Sequence, residues 1–147
     1  MPKQYSSSGL SFLYPDSWTL TDEQSTGSGR GIFLESPGGS FLSINLMDAD
    51  QPPTDLIQEA ADAMDAEYDE VESEPIALQI DDQTLAGIEQ RFYYLDFVII
   101  SKLLAMPMES GTFLIQIQGE DRDLEQQSRV FEAILTSMLR SLADRPA

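Results

Sequence analysis

The sequence predicts an α+β fold, an antiparallel β-sheet flanked by helices. Two features carry the prediction. Four strand-like stretches, Glu74–Ile80, Leu85–Leu95, Phe97–Met106 and Thr112–Gly119, follow one another across short links. Short links favour antiparallel hairpins, because parallel pairs need long crossovers. The last stretch then runs straight into a segment with helical periodicity, Asp121–Leu142. The chain shows no alternating βα pattern, which argues against a parallel sheet.

Each element has its own pattern. Leu10–Tyr14 alternates Leu10, Phe12 and Tyr14 and reads as a strand. Pro15-Asp16-Ser17 is turn chemistry, and Trp18–Leu20 resumes as a short strand. Trp18, the one tryptophan, fits a plug at the open end of a core. Thr26–Gly31 is glycine-rich, but a strand-like run, Ile32–Glu35, follows it. A phosphate cradle needs a helix there, so a hairpin loop is expected. Pro37-Gly38-Gly39 is a second turn, and Ser40–Met47 places Leu42, Ile44 and Leu46 on one face. After Pro52-Pro53, Thr54 is expected to cap a helix whose stripe is Leu56, Ile57, Ala60, Ala61, Met64 and Tyr68. Phe97–Ile100 is apolar on both faces, which suggests a strand covered twice. In Thr112–Gly119, Phe113, Ile115 and Ile117 oppose Gln116 and Gln118. The final helix presents Leu124, Phe131, Ile134, Leu135, Met138, Leu139 and Leu142, with Asp123 and Gln126 placed for a capping box.

Composition excludes much chemistry. The 147 residues suit a single domain spanning 1–147. They contain no cysteine and no histidine, which removes disulfides, thiolate nucleophiles, Ser-His-Asp triads and nearly every zinc site. No cofactor and no enzymatic activity are expected. The formal net charge of −18 opposes nucleic acid and anionic membrane surfaces alike. Thirteen acidic residues and no basic one lie between Asp48 and Asp82, so the charge is local. Such acidity serves solubility or meets a basic protein partner. The first eight residues lack a signal-peptide core, and no run approaches the roughly 18 apolar residues of a membrane helix. With Met1 as the native start, a cytoplasmic protein is expected.

Asp48-Ala49-Asp50 follows a strand-like run, where two carboxylates can hold a hard cation or act on phosphate. A metal binder or metal-dependent carboxylate enzyme using Asp48 and Asp50 is the competing reading. A small-ligand carrier with a pocket between sheet and helix is a third.

Three motifs add a family likeness. Phe12-Leu13-Tyr14-Pro15-Asp16-Ser17-Trp18 resembles the aromatic-x-Tyr-Pro-x-x-Trp opening of Mog1/PsbP-like domains. Thr84–Glu89 is similar to their mid-chain glycine-containing strand start, and Phe131-x-x-Ile134-Leu135-x-Ser137-Met138 to their closing helix. The element order agrees along nearly the whole chain. The resemblance implies an α/β/α sandwich. The superfamily includes an import factor, photosystem subunits, DcrB-related lipoproteins and adaptor chaperones of type VI secretion effectors. It implies a non-enzymatic, cytosolic protein-binding role, adaptor-like or chaperone-like, and transfers no functional residue.

The candidate partner surface is a partly open polar sheet face. Ser43, Asn45, Gln116 and Gln118 oppose apolar positions in their strands, and Arg91 and Tyr93 share a face with Glu89. An antiparallel sheet commonly packs one face and wets the other. All six are therefore expected on one surface, with solvation or burial under the first helix as the alternatives.

Overall fold

In the computed structural model, which describes residues 2–7, 10–22, 30–47, 51–80, 82–108 and 111–143, the alternating stretches become nine strands. These are β1 (Pro2–Ser7), β2 (Leu10–Pro15), β3 (Thr19–Asp22), β4 (Arg30–Glu35), β5 (Phe41–Met47), β6 (Glu72–Ile80), β7 (Gln83–Tyr94), β8 (Phe97–Met108) and β9 (Gly111–Glu120). Three helices join them: α1 (Pro53–Glu67), α2 (Asp121–Gln126) and α3 (Ser128–Ala143). β1 and β2 form a separate hairpin, and the other seven strands form one sheet in the order β3-β4-β5-β9-β8-β7-β6, every pair antiparallel. β1 was not legible in the sequence, because Lys3, Gln4 and Ser6 give it no apolar alternation.

The register assigns the two faces of the sheet. Ile44 lies opposite Ile32 and Ile115, and Ile115 opposite Leu104, so these share one face with Leu42, Ile117 and Ile100. That face packs against Phe131, Ile134, Leu135, Met138 and Leu139 of α3, with Leu10 and Phe12 of the hairpin. Leu34, Leu104, Ile115, Leu135 and Met138 have no exposed surface at all. The other face carries Ile88, Leu103, Ala105 and Leu114, covered by Ile57, Ala60 and Ala61 of α1. Alanine lets α1 approach closely but buries little. The result is three layers, with β8 covered on both sides at Leu103 and Leu104.

The β1–β2 hairpin lies in the same layer as α3. The Leu13 N–H donates to the Ser137 hydroxyl at 2.9 Å, and the Tyr5 hydroxyl to the Asp22 carboxylate at 2.8 Å. Trp18 follows a tight turn closed by its own N–H onto the Pro15 carbonyl. Its ring meets Phe131 edge-on at 5.1 Å and is 5% exposed, as expected for a plug.

Helix starts differ from expectation. α1 begins one residue before Thr54, with Pro53 in the first turn and Pro52 as N-cap; no side chain caps it. Proline's fixed φ and missing N–H suit that position and displace threonine from the cap. The final helix is two helices, broken at Gln127. Glu120, not Asp123, caps α2, accepting from the N–H groups of Arg122 and Asp123. Asp123 is instead drawn to the Ser40 hydroxyl. The side chain of Leu142 lies outside the described residues.

Candidate functional site

The register separates the six residues expected to share one surface. Ser43 is opposite Gln116, Asn45 opposite Leu114, and Gln118 lies between Phe41 and Ser101. These four are on the α1 side of the sheet, and all are half-buried. Arg91 is opposite Ile100 and Tyr93 opposite Val98, which puts both on the α3 side. The single six-residue surface is therefore incorrect. In β7 the α1-side positions are Ile88, Gln90, Phe92 and Tyr94, mixing amide and aromatic residues. Polarity alone therefore could not say which β7 face continued which face of β5. Arg91 stands instead among Glu72, Glu74 and Glu89 beside a small cleft of about 230 Å³.

What the structure does bring together is an amide row across the α1-side face. Gln116 Nε2 donates to Ser101 Oγ at 3.1 Å and to Gln118 Oε1 at 3.0 Å. Ser101 is opposite Gln90, whose Nε2 donates to the Ala61 carbonyl at 3.1 Å and to Ser73 Oγ at 3.2 Å. Gln90 and Ser101 are fully buried, and Gln90 Oε1 has no partner among the described residues. The row passes from beneath α1 at Gln90 to partial exposure at Gln118.

Beyond Gln118 the face stays open. Phe41 and Phe33, half-buried, pair with ring centres 4.9 Å apart. A cleft of about 460 Å³ lies between Phe41, Gln118, Ile99, Phe97 and the Glu120–Asp123 corner. Its far wall is held by packing at β9's end. A Cβ on Gly119 would collide with the Ser40 hydroxyl, and one on Gly38 with the Asp123 carboxylate, so only glycine admits this contact. Glu120 is kept below the usual carboxylate range, chiefly by the Asp123 N–H, with Arg122 adding its N–H and guanidinium.

From this cleft the surface continues onto the β7–β8 hairpin. Tyr94, Leu95 and Phe97 are 54%, 79% and 49% exposed, and Tyr93 projects from the other side. Tyr94 is braced by Tyr68, whose ring meets it edge-on at 6.3 Å and stacks on Phe92 at 4.2 Å. Burial, then the Glu67 charge, raises the Tyr68 phenol above its ordinary value. Leu95 has φ of 56°. For an L-residue with a bulky side chain that region costs roughly 1–2 kcal/mol.

Comparison with known structures now decides the fold. The cyanobacterial PsbP protein (CyanoP) of Synechocystis sp. PCC 6803 aligns over 92% of this chain and 90% of its own, at TM-score 0.57 and 17% identity. The chain has the Mog1/PsbP-like fold. PA94 of Pseudomonas aeruginosa, a protein of unknown function, aligns over 99% of both chains at TM-score 0.55 and 10% identity. A Bacteroides thetaiotaomicron structure aligns over 92% of this chain and 47% of its own, at TM-score 0.57 and 16% identity. No protein-family profile and no characterised protein matches the chain by sequence.

Within this PsbP-like fold the competing readings find their places. Asp48 and Asp50 lie outside the described residues. Among those described, no group of three or more acidic side chains is arranged to hold a metal ion. Between sheet and α3, core side chains from both pack against one another. Two clefts, of about 970 and 500 Å³, flank Leu13 on the outer side of β2 and α3. No helix among the described residues is long and apolar enough to cross a membrane. The alternation within Leu85–Leu95 and Phe97–Met106 assigns faces and does not show that Tyr94, Leu95 and Phe97 are exposed at the turn. The available signal was Leu95-Asp96, an apolar residue at a tip where asparagine or glycine is favoured.

Proposed function

We propose that this protein is a non-enzymatic protein-binding module, adaptor-like or chaperone-like, that captures a polypeptide on the open end of the α1-side sheet face. The observation that supports this reading is the continuous surface of Phe41, Gln118, Phe97, Leu95 and Tyr94. Tyr94, Leu95 and Phe97 are exposed, Phe41 and Gln118 are half-buried beside them at the cleft, and Tyr68 backs Tyr94. Exposed apolar side chains scattered singly are ordinary, but a contiguous set around a cleft marks an interaction site. Aromatic anchors supply large contact area at small entropy cost, and the Gln118 amide can bond a partner's backbone.

The test is capture from the native host by wild type, Phe97→Ser/Leu95→Asn and Leu13→Ser. Leu13 is also an exposed apolar residue, 47% exposed, but sits on the opposite layer. A polypeptide retained by wild type and Leu13→Ser but lost by the hairpin variant, at unchanged Tm, supports the reading. Equal capture by all three rejects it.

A further inference from the structure

The chemistry around the hairpin tip specifies its partner. On its Tyr94 side the tip adjoins a carboxylate-rich segment. Tyr68, which braces Tyr94, is preceded by Glu67 and followed by Asp69 and Glu70, and Asp96 sits in the turn itself. Asp69, Glu70 and Asp96 are exposed. The nearby cations are committed elsewhere. Arg122 pairs with Glu120 at 3.3 Å, and Arg91 is on the other face among Glu72, Glu74 and Glu89. No basic residue occurs anywhere between Asp48 and Asp82. A partner seated on Tyr94, Leu95 and Phe97 is thus placed beside surplus, solvent-exposed negative charge, an attraction that is strongest at low ionic strength.

We infer that the surface docks a cationic polypeptide segment, one that presents large apolar side chains to Tyr94, Leu95 and Phe97 and lysine or arginine to Glu67, Asp69, Glu70 and Asp96. The inference rests on the proposed binding function of this face and adds the partner's charge. The left-handed backbone at Leu95 contributes: an energetically unfavourable conformation holds a leucine outward where glycine or asparagine would sit without strain. A second copy of the chain is disfavoured, because it brings another −18 charges. An anionic bilayer is repelled for the same reason.

Three labelled peptides test this. They share three large apolar side chains and differ in the remaining positions, which are lysine/arginine, glutamine/serine or glutamate. Binding is read by fluorescence anisotropy against wild type, Leu95→Asn/Phe97→Ser and Glu67→Gln/Asp69→Asn/Glu70→Gln. The cationic peptide is expected to bind about tenfold more tightly than the neutral one at low salt, an advantage that shrinks as salt rises. The carboxylate variant, which keeps Asp96, should lose most of that advantage and keep neutral-peptide binding, whereas the hairpin variant should weaken both. Equal binding of cationic and neutral peptides overturns the inference and leaves the binding face standing. No binding of any peptide, or preferential sedimentation with phosphatidylcholine vesicles, also overturns it. Dimerisation that the hairpin variant abolishes would assign the surface to a second copy and overturn it as well.

Discussion

Replacing Leu95 separates the cost of the hairpin tip from its use. At φ 56° a side chain with a Cβ pays roughly 1–2 kcal/mol, which glycine does not. Glycine in turn loses about 0.5–1 kcal/mol through its freer unfolded chain. Leu95 is 79% exposed, so removing it forfeits only about a fifth of the 1.5–3 kcal/mol that full burial of a leucine is worth, roughly 0.3–0.6 kcal/mol. Leu95→Gly should therefore leave stability nearly unchanged. Leu95→Ala keeps the strain and loses the same contact. The comparison of interest is between the two variants: Gly should be more stable than Ala by roughly 0.5–1 kcal/mol, the reverse of the order inside a strand. Urea denaturation followed by the fluorescence of Trp18, which is buried against Phe131, measures both. An alanine variant as stable as the glycine variant would refute the strained conformation. A loss above about 1 kcal/mol in both would show that Leu95 packs into the fold and is not displayed by it.

Other outcomes follow from the core and the β9–α2 corner. Phe131→Ala should cost about 3–5 kcal/mol and Leu135→Ala about 2–5 kcal/mol, since both are buried and Phe131 also loses its edge contact with Trp18; chemical denaturation decides, and losses below about 1 kcal/mol would make α3 peripheral. Glu120 is more acidic folded than unfolded, so its contribution is present above the ordinary value of 4.5 and is lost as pH falls through its depressed folded value. Glu120→Gln should accordingly flatten the acid limb of a stability–pH curve; an unaltered limb would show that the cap is not held in solution. Millimolar Mg²⁺, Mn²⁺ or Ca²⁺ should leave Tm unmoved, and a rise abolished by Asp48→Asn/Asp50→Asn would support the metal reading instead.

The sequence by itself determined the elements whose side-chain period is strict. Leu42, Ile44 and Leu46 alternate, as do Phe113, Ile115 and Ile117, because successive strand residues point to opposite faces. The α3 stripe was legible for the equivalent reason at period 3.6, and antiparallel pairing followed from short links. The break at Gln127 was not legible, since the periodic stripe runs on across it while Glu120 captures the two N–H groups that start α2. Tertiary structure alone decided the site. Alternation tells which residues of one strand share a face but carries no information on which face of its neighbour that face joins. Register supplies it: Gln118 meets Ser101 and Ser101 meets Gln90, so Tyr94 continues the amide row while Arg91 and Tyr93 fall behind the sheet. The display of Leu95 was equally hidden, because the exposure of a turn residue depends on what packs over it, and only the folded chain shows that nothing described here does.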